Sequence, residues 1–130
     1  MSQRGLIVVP GLGNPDLYAG ASRYGDLIWS AGQVPVQESG EIPLGINQQV
    51  SVVLDNLERT LRDAGGGLDT LLKVNTYLID LADFDAYNDV YVACLREHGL
   101  PPRTTVEIAR LPHPMRIELE AVAHVREERK

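Results

Sequence analysis

The amino-acid sequence predicts an α+β protein, a mixed β-sheet of about six strands with two helices packed on one face. Three observations predict it. Short stretches of strand character open and close the chain, between residues 6 and 31 and again between residues 103 and 125. Two segments between them repeat apolar residues at helical spacing. A run of β-formers, Leu71 to Ile79, separates those two segments. The order is therefore strands, helix, strand, helix, strands. A strand–helix–strand unit favours parallel pairing through a right-handed crossover, and hairpins favour antiparallel pairing. A mixed sheet with both helices on one face accommodates both.

The elements follow in order. Leu6 to Val9 reads as a first strand, broken by the loop Pro10-Gly-Leu-Gly-Asn-Pro15. Tyr18 to Tyr24 is weakly patterned. Leu27 to Ala31 is a strand that ends at Gly32, and Gln37 to Glu41 is a polar turn. A helix begins near Ile46 or Asn47, with Val50, Val53, Leu54, Leu57 and Leu61 along one stripe. The triple glycine Gly65-Gly66-Gly67 ends it. After the strand at Leu71, Asp80 or Asp83 caps a second helix striped by Phe84, Tyr87, Tyr91, Cys94 and Leu95, and Gly99 stops it.

Two alternating segments close the chain. In Arg103 to Arg110, Thr104, Val106 and Ile108 oppose Arg103, Thr105, Glu107 and Ala109. In Arg116 to Val125, Ile117, Leu119, Ala121 and Ala123 make an apolar face against Arg116, Glu118, Glu120, Val122 and His124. Paired as a hairpin, they would put an arginine and two carboxylates on one face of the sheet. The other sheet face, left uncovered by helices and partly apolar, predicts self-association.

Composition narrows the function. One domain spanning 1–130 is expected from the length. The formal net charge of −6, with basic residues scattered except in the mixed tail Arg126 to Lys130, argues against a nucleic-acid partner. The single cysteine, Cys94, points to a reducing compartment. No apolar run approaches the roughly 18 residues of a membrane span, and no signal-like N-terminus is present, so a cytoplasmic location is expected. His98, His113 and His124 show no metal-ligand spacing, so no metal is expected. Leu6 to Pro15 with Tyr18 is similar to the opening of bacterial peptidyl-tRNA hydrolases. The histidine such enzymes need is missing where this chain has Arg23-Tyr24-Gly25.

Several residues are candidates for chemistry. Arg103 follows Pro101-Pro102, so its backbone entry is stiff, and a positioned guanidinium offers a carboxylate two parallel donors. By itself it reads first as a surface arginine paired with Glu107 or Glu118. Glu118 in a semi-enclosed cleft would hold its proton longer, which suits acid–base work; Glu120 is the competing carboxylate. Asn88 sits inside a helix, where asparagine is disfavoured, so it either makes a specific hydrogen bond or faces solvent. Gly32 either admits a ligand close to the backbone or simply turns the chain. Tyr18, by itself, reads as a half-buried strand residue.

Pro102-Arg103, Val106-Glu-Ile-Ala-Arg-Leu111 and Ile117-Glu-Leu-Glu-Ala121 resemble the C-terminal signature of the RidA/YjgF family of imine deaminases. Ser30-Ala-Gly-Gln-Val-Pro35 is similar to that family's SGQ(I/V)P segment. Gly40 to Pro43, Gln48 through Leu57, Lys73 to Leu78, Asp80 to Phe84 and Asn88 continue in register, so the resemblance covers most of the chain. It implies a chorismate mutase-like fold assembled as a homotrimer, with clefts between subunits. It implies that Arg103 grips a substrate carboxylate, that Glu118 positions water, and that Tyr18, Gly32, Asn88 and Thr105 border the substrate. No metal or organic cofactor is implied. Two positions depart from the pattern. Thr105 stands where the archetype has a cysteine, and Ala31 replaces the serine before the glycine. The implied reaction is hydrolysis of a 2-imino or 2-enamino acid, such as 2-aminoacrylate, to a 2-oxo acid and ammonia. A non-catalytic binder of small carboxylates is the alternative, and an RNA-cleaving translation inhibitor is a weaker one.

Overall fold

The computed structural model describes residues 3–127, so the last three residues of the charged tail lie outside the described residues. Strands β1 (Gly5–Ile7), β2 (Ala21–Tyr24) and β3 (Leu27–Ser30) precede the long helix α1 (Ile46–Asp63). Strand β4 (Leu71–Leu78), helix α2 (Phe84–Leu95), β5 (Arg103–Glu107) and β6 (Ile117–His124) follow. The six strands form one sheet in the order β1-β2-β3-β6-β4-β5, antiparallel throughout except for the parallel β4–β5 pair. The α+β class, the mixed sheet and the two helices on one face are as the sequence predicts.

The helices form where the stripe is apolar. In α1 the buried positions Val50, Val53, Leu54, Leu57 and Leu61 lie against the sheet. Removing each such side chain from water contributes about 1.5–3 kcal/mol. Helix α2 buries Tyr87, Tyr91 and Leu95 against the same core. Asp80, not Asp83, provides the capping side chain: its carboxylate accepts the Ala82 N–H in the short turn that leads into α2. Asp83 instead pairs with Arg116.

The terminal hairpin expected from the sequence does not form. β5 runs parallel to β4 on its outer edge, delivered there by the α2 crossover, and β6 lies on the other side of β4. The reason lies in β6 itself. Its apolar face, Ile117, Leu119, Ala121 and Ala123, is almost wholly inaccessible, so this strand takes a central place between β3 and β4. The proline-containing stretch between the two strands is long enough to step across β4. Gln49 of α1 pins it: its amide nitrogen donates to the Pro43 and Pro114 carbonyls at 2.8 and 2.9 Å, and its oxygen accepts the Arg116 N–H at 2.7 Å. The strand Ala21–Tyr24 arises in a segment with little pattern, because β1 and β3 supply its ladder on both sides.

One sheet face is covered by the helices and the other is open. Register assigns the residues. Val74, Thr76 and Leu78 face the helices, together with their partners Ala121, Leu119 and Ile117. The open face carries Trp29, Val122 and Lys73 side by side, then Asn75 beside Glu120 and Tyr77 beside Glu118. Leu6, Tyr24, Leu27, Trp29 and Val106 are exposed on it. Among the described residues, no helix is long and apolar enough to cross a membrane.

Candidate active site

Arg103 opens β5 directly after two prolines, in register with buried Val74. In a parallel ladder paired residues share a face, so Arg103 turns towards α2. There its guanidinium lies 5.6, 4.9 and 4.8 Å from the ring centres of Phe84, Tyr87 and Tyr91, a cation–π cradle on three sides. Burial pushes the Tyr87 and Tyr91 phenols up, so both rings stay neutral beside the cation. No carboxylate pairs with Arg103 among the described residues. Glu107, one of its expected partners, accepts the Leu81 N–H at 2.8 Å instead.

Polar atoms near that guanidinium are unspent. Tyr91 Oη, in the cradle, and Thr105 Oγ1, on the same strand face, are buried with no hydrogen-bond partner among the described residues, and so is Asn88 Oδ1 elsewhere on α2. Such groups ordinarily cost about 1–3 kcal/mol each when left unpaired. A guanidinium without an acid partner keeps its donors in the fork geometry that matches a carboxylate.

Glu118 belongs to a second cluster. Its carboxylate packs on the backbone of Gly32, where any Cβ would overlap the carboxylate oxygen. That close approach, not a left-handed backbone, is why this position needs glycine. Burial, then the charge of Glu120, pushes the Glu118 carboxyl up. Glu120 is the satisfied carboxylate of the two. It accepts the Tyr77 hydroxyl at 3.0 Å and the Asn75 amide at 3.4 Å. Glu118 has no hydrogen-bond partner of this kind among the described residues. Tyr18 stands near Gly32, on the rim of a cavity that both residues border.

The two clusters lie on opposite faces of the sheet. Arg103 and Thr105 face the helices, whereas Glu118 and Glu120 face the open side. The shared face that a hairpin would have given is therefore absent within one chain. Arg103 and Thr105 lie at the β5–α2 edge, with Asn88 elsewhere along α2 beside Asp89, Val92, Ala93 and Arg96; Glu118 and Gly32 meet at the end of β3, where Tyr18 borders the cavity next to Gly32.

Residues 14–125 match the sequence pattern of the family described as Endoribonuclease L-PSP. The chain belongs to this family, the RidA/YjgF family. Among its relatives, a RutC family protein of Pyrococcus abyssi is 41% identical over 109 residues, 82% of this chain and 85% of that protein. The 2-iminobutanoate/2-iminopropanoate deaminase of Escherichia coli is 37% identical over 102 residues, 76% of this chain and 80% of the enzyme. Among solved structures, E. coli TdcF with bound serine superposes with a TM-score of 0.84 at 32% identity, covering 95% of this chain and all of that one (100%). RidA/YjgF relatives thus carry deaminase activity on reactive imines, and the fold here is theirs.

Phe84, Tyr87 and Tyr91 share the apolar stripe of α2, and the parallel β4–β5 pairing, which that spacing does not reveal, seats Arg103 on their rings. The Gly11–Asn14 loop, beyond breaking the chain after β1, walls a cavity with Gln33, Asn56 and Thr60.

Proposed function

We propose that this protein hydrolyses reactive 2-imino and 2-enamino acids, such as 2-aminoacrylate, to 2-oxo acids and ammonia. The observation that carries the reading is Arg103, held in an aromatic cradle with no acid partner among the described residues, with Thr105, whose hydroxyl is unpaired among them, two residues on along the same strand face. The guanidinium forks onto the substrate carboxylate, with Asn88 and Thr105 as hydrogen-bonding neighbours. Glu118, unpaired and with its carboxyl pushed up, takes a proton from water as it attacks the C=N carbon and returns one to the departing nitrogen. Gly32 lets that carboxylate and the substrate approach the backbone, and Tyr18 borders the mouth. Thr105 in place of a cysteine keeps a hydroxyl and loses only a thiol the reaction does not use. Imine hydrolysis is intrinsically fast, so positioning and proton transfer suffice without metal or cofactor.

Because Arg103 and Glu118 lie on opposite faces, one chain cannot hold both ends of a small substrate. We assign the complete site to the cleft between two copies in a homotrimer. One copy supplies Arg103, Thr105 and Asn88, and its neighbour supplies Glu118, Gly32 and Tyr18. The exposed apolar residues of the open face support assembly through that face.

The test is ammonia release from 2-aminoacrylate generated by a pyridoxal-phosphate dehydratase. Acceleration by the wild type and its loss in Arg103→Ala support the reading; no acceleration, or full activity in Arg103→Ala, contradicts it. Serine bound to TdcF also supports a second reading, a small-carboxylate binder. It predicts saturable binding of 2-oxobutyrate with no ammonia released.

A further inference from the structure

Of two like carboxylates on one strand face, only one is tied down. Glu118 and Glu120 stand two residues apart on the open face of β6, so their side chains lie side by side. The neighbouring strand β4 offers two donors. Asn75 sits directly opposite Glu120, and Tyr77 directly opposite Glu118. Tyr77 nevertheless reaches along the diagonal, which is within range of an aromatic side chain, and its hydroxyl donates to Glu120 Oε2 at 3.0 Å. The Asn75 amide donates to the same oxygen at 3.4 Å. Both donors are spent on Glu120, and among the described residues Glu118 keeps none.

The cations that could offset the Glu120 charge are engaged elsewhere. Lys73, two residues before Asn75 on the same face, donates to the Thr104 hydroxyl at 2.8 Å on the outer strand. Arg116, just before β6, forks onto Asp83. Arg103 faces the helices. His124 lies at the far end of β6, its ring against the Val125 carbonyl. The chain after β3 meets Glu118 with Gly32, which brings no side chain. Burial, then the hydrogen bond to Glu120, pushes the Tyr77 phenol up, so it stays a neutral donor. Among the described residues, then, Glu118 faces a neutral phenol and a fixed negative charge. In the proposed cleft the neighbouring copy adds its Arg103, which the substrate carboxylate occupies.

A fixed like charge makes a carboxylate hold a proton more readily. That property suits a group that takes a proton from water and passes it on at neutral pH. We propose that Glu120 is a positioning residue for the hydrolysis: Tyr77 and Asn75 hold its charge beside Glu118, which readies Glu118 to take the proton of the attacking water. The assignment rests on the deaminase reading and adds to it three residues that act through Glu118. The balance is that of the hydrolysis: the proton Glu118 takes from water is the one it returns to nitrogen as the C–N bond breaks.

Glutamate labelled with carbon-13 at the side-chain carboxyl reports the titration of Glu118 directly, by the signal that Glu118→Gln removes. Glu120→Gln is expected to move that titration to lower pH. Tyr77→Phe, which frees Glu120 without removing its charge, should move it the same way and by less. The acid limb of the pH profile of kcat/KM on 2-aminoacrylate should follow each shift. At neutral pH, kcat/KM should fall roughly threefold to tenfold in Glu120→Gln. One substrate serves every variant, so its own protonation cancels from the comparison. A purely structural Tyr77 or Glu120 would lower the melting temperature and leave the Glu118 titration where it was. That result in a folded variant overturns the assignment, as does an acid limb that stays put while the titration moves. Should Glu120→Gln not fold, Tyr77→Phe decides by the same two readings. No ammonia release by the wild type contradicts the deaminase reading itself and takes the assignment with it. An active wild type with an unmoved Glu118 titration in the variants contradicts the assignment alone.

Discussion

Arg103 owes its usefulness to what it lacks. A guanidinium stacked among three rings with an acid partner would be a structural ion pair; without one among the described residues its donors stay open, which is what the proposed carboxylate binding requires. Lysine at this position keeps the charge but loses the planar fork and the stacking. Arg103→Lys is therefore expected to lower kcat/KM by roughly tenfold to a hundredfold with little change in melting temperature, read by steady-state kinetics beside a thermal melt. Glu118 invites a test of sign. Burial and Glu120 push its carboxyl up, so the folded state holds the proton more tightly than the unfolded chain. The stability this contributes is complete below the unfolded value and is lost as pH rises through the raised folded value. Glu118→Gln should therefore melt above wild type at neutral pH and converge with it in acid, while losing about a hundredfold or more in kcat. A variant that melts lower at neutral pH would contradict the unpaired, part-buried carboxylate. Both residues were legible in the sequence through their neighbours and through the family resemblance. The aromatic cradle and the relative burial of Glu118 and Glu120 were not, because both come from residues distant along the chain.

Among the elements, β6 decides most. It carries Glu118 on one face and core on the other, and its place between β3 and β4 brings the carboxylate onto Gly32. Gly32→Ala adds a Cβ where that carboxylate lies, so Glu118 must move. The expected result is a fall of at least tenfold in kcat with the core intact, read from kinetics and an unchanged circular dichroism spectrum; full activity would dissociate Glu118 from the chemistry. Helix α1 was legible to within a residue or two, because apolar spacing marks its length and Gly65 its end; α2 stops earlier than expected, at Leu95, and a single 3-10 turn, Arg96–His98, runs on to Gly99. The pairing of β5 and β6 was not legible. Alternation reveals which residues share a face of one strand, but it does not name the neighbouring strand. The α2 crossover claimed the edge of β4 for β5, and that choice moved Arg103 to the side opposite Glu118.

For the whole molecule, the sheet's two faces are what the proposed assembly rests on. Helices cover one face; the other exposes Leu6, Tyr24, Leu27 and Trp29 beside the Glu118 cluster. An apolar face of this kind favours closed assembly around a symmetry axis. The sequence alone predicted self-association from the same uncovered face, yet the division of the site between two faces became visible only with the strand order. If the site spans two copies, two defective chains can repair one another. Arg103→Ala and Glu118→Gln, each inactive by itself, should regain activity when unfolded together and refolded as mixed trimers. Random mixing restores an intact Arg103–Glu118 pair at about a quarter of the clefts. Ammonia release near a quarter of the wild-type rate is the expected result; a mixture as inactive as its two components would contradict a site shared between neighbouring chains.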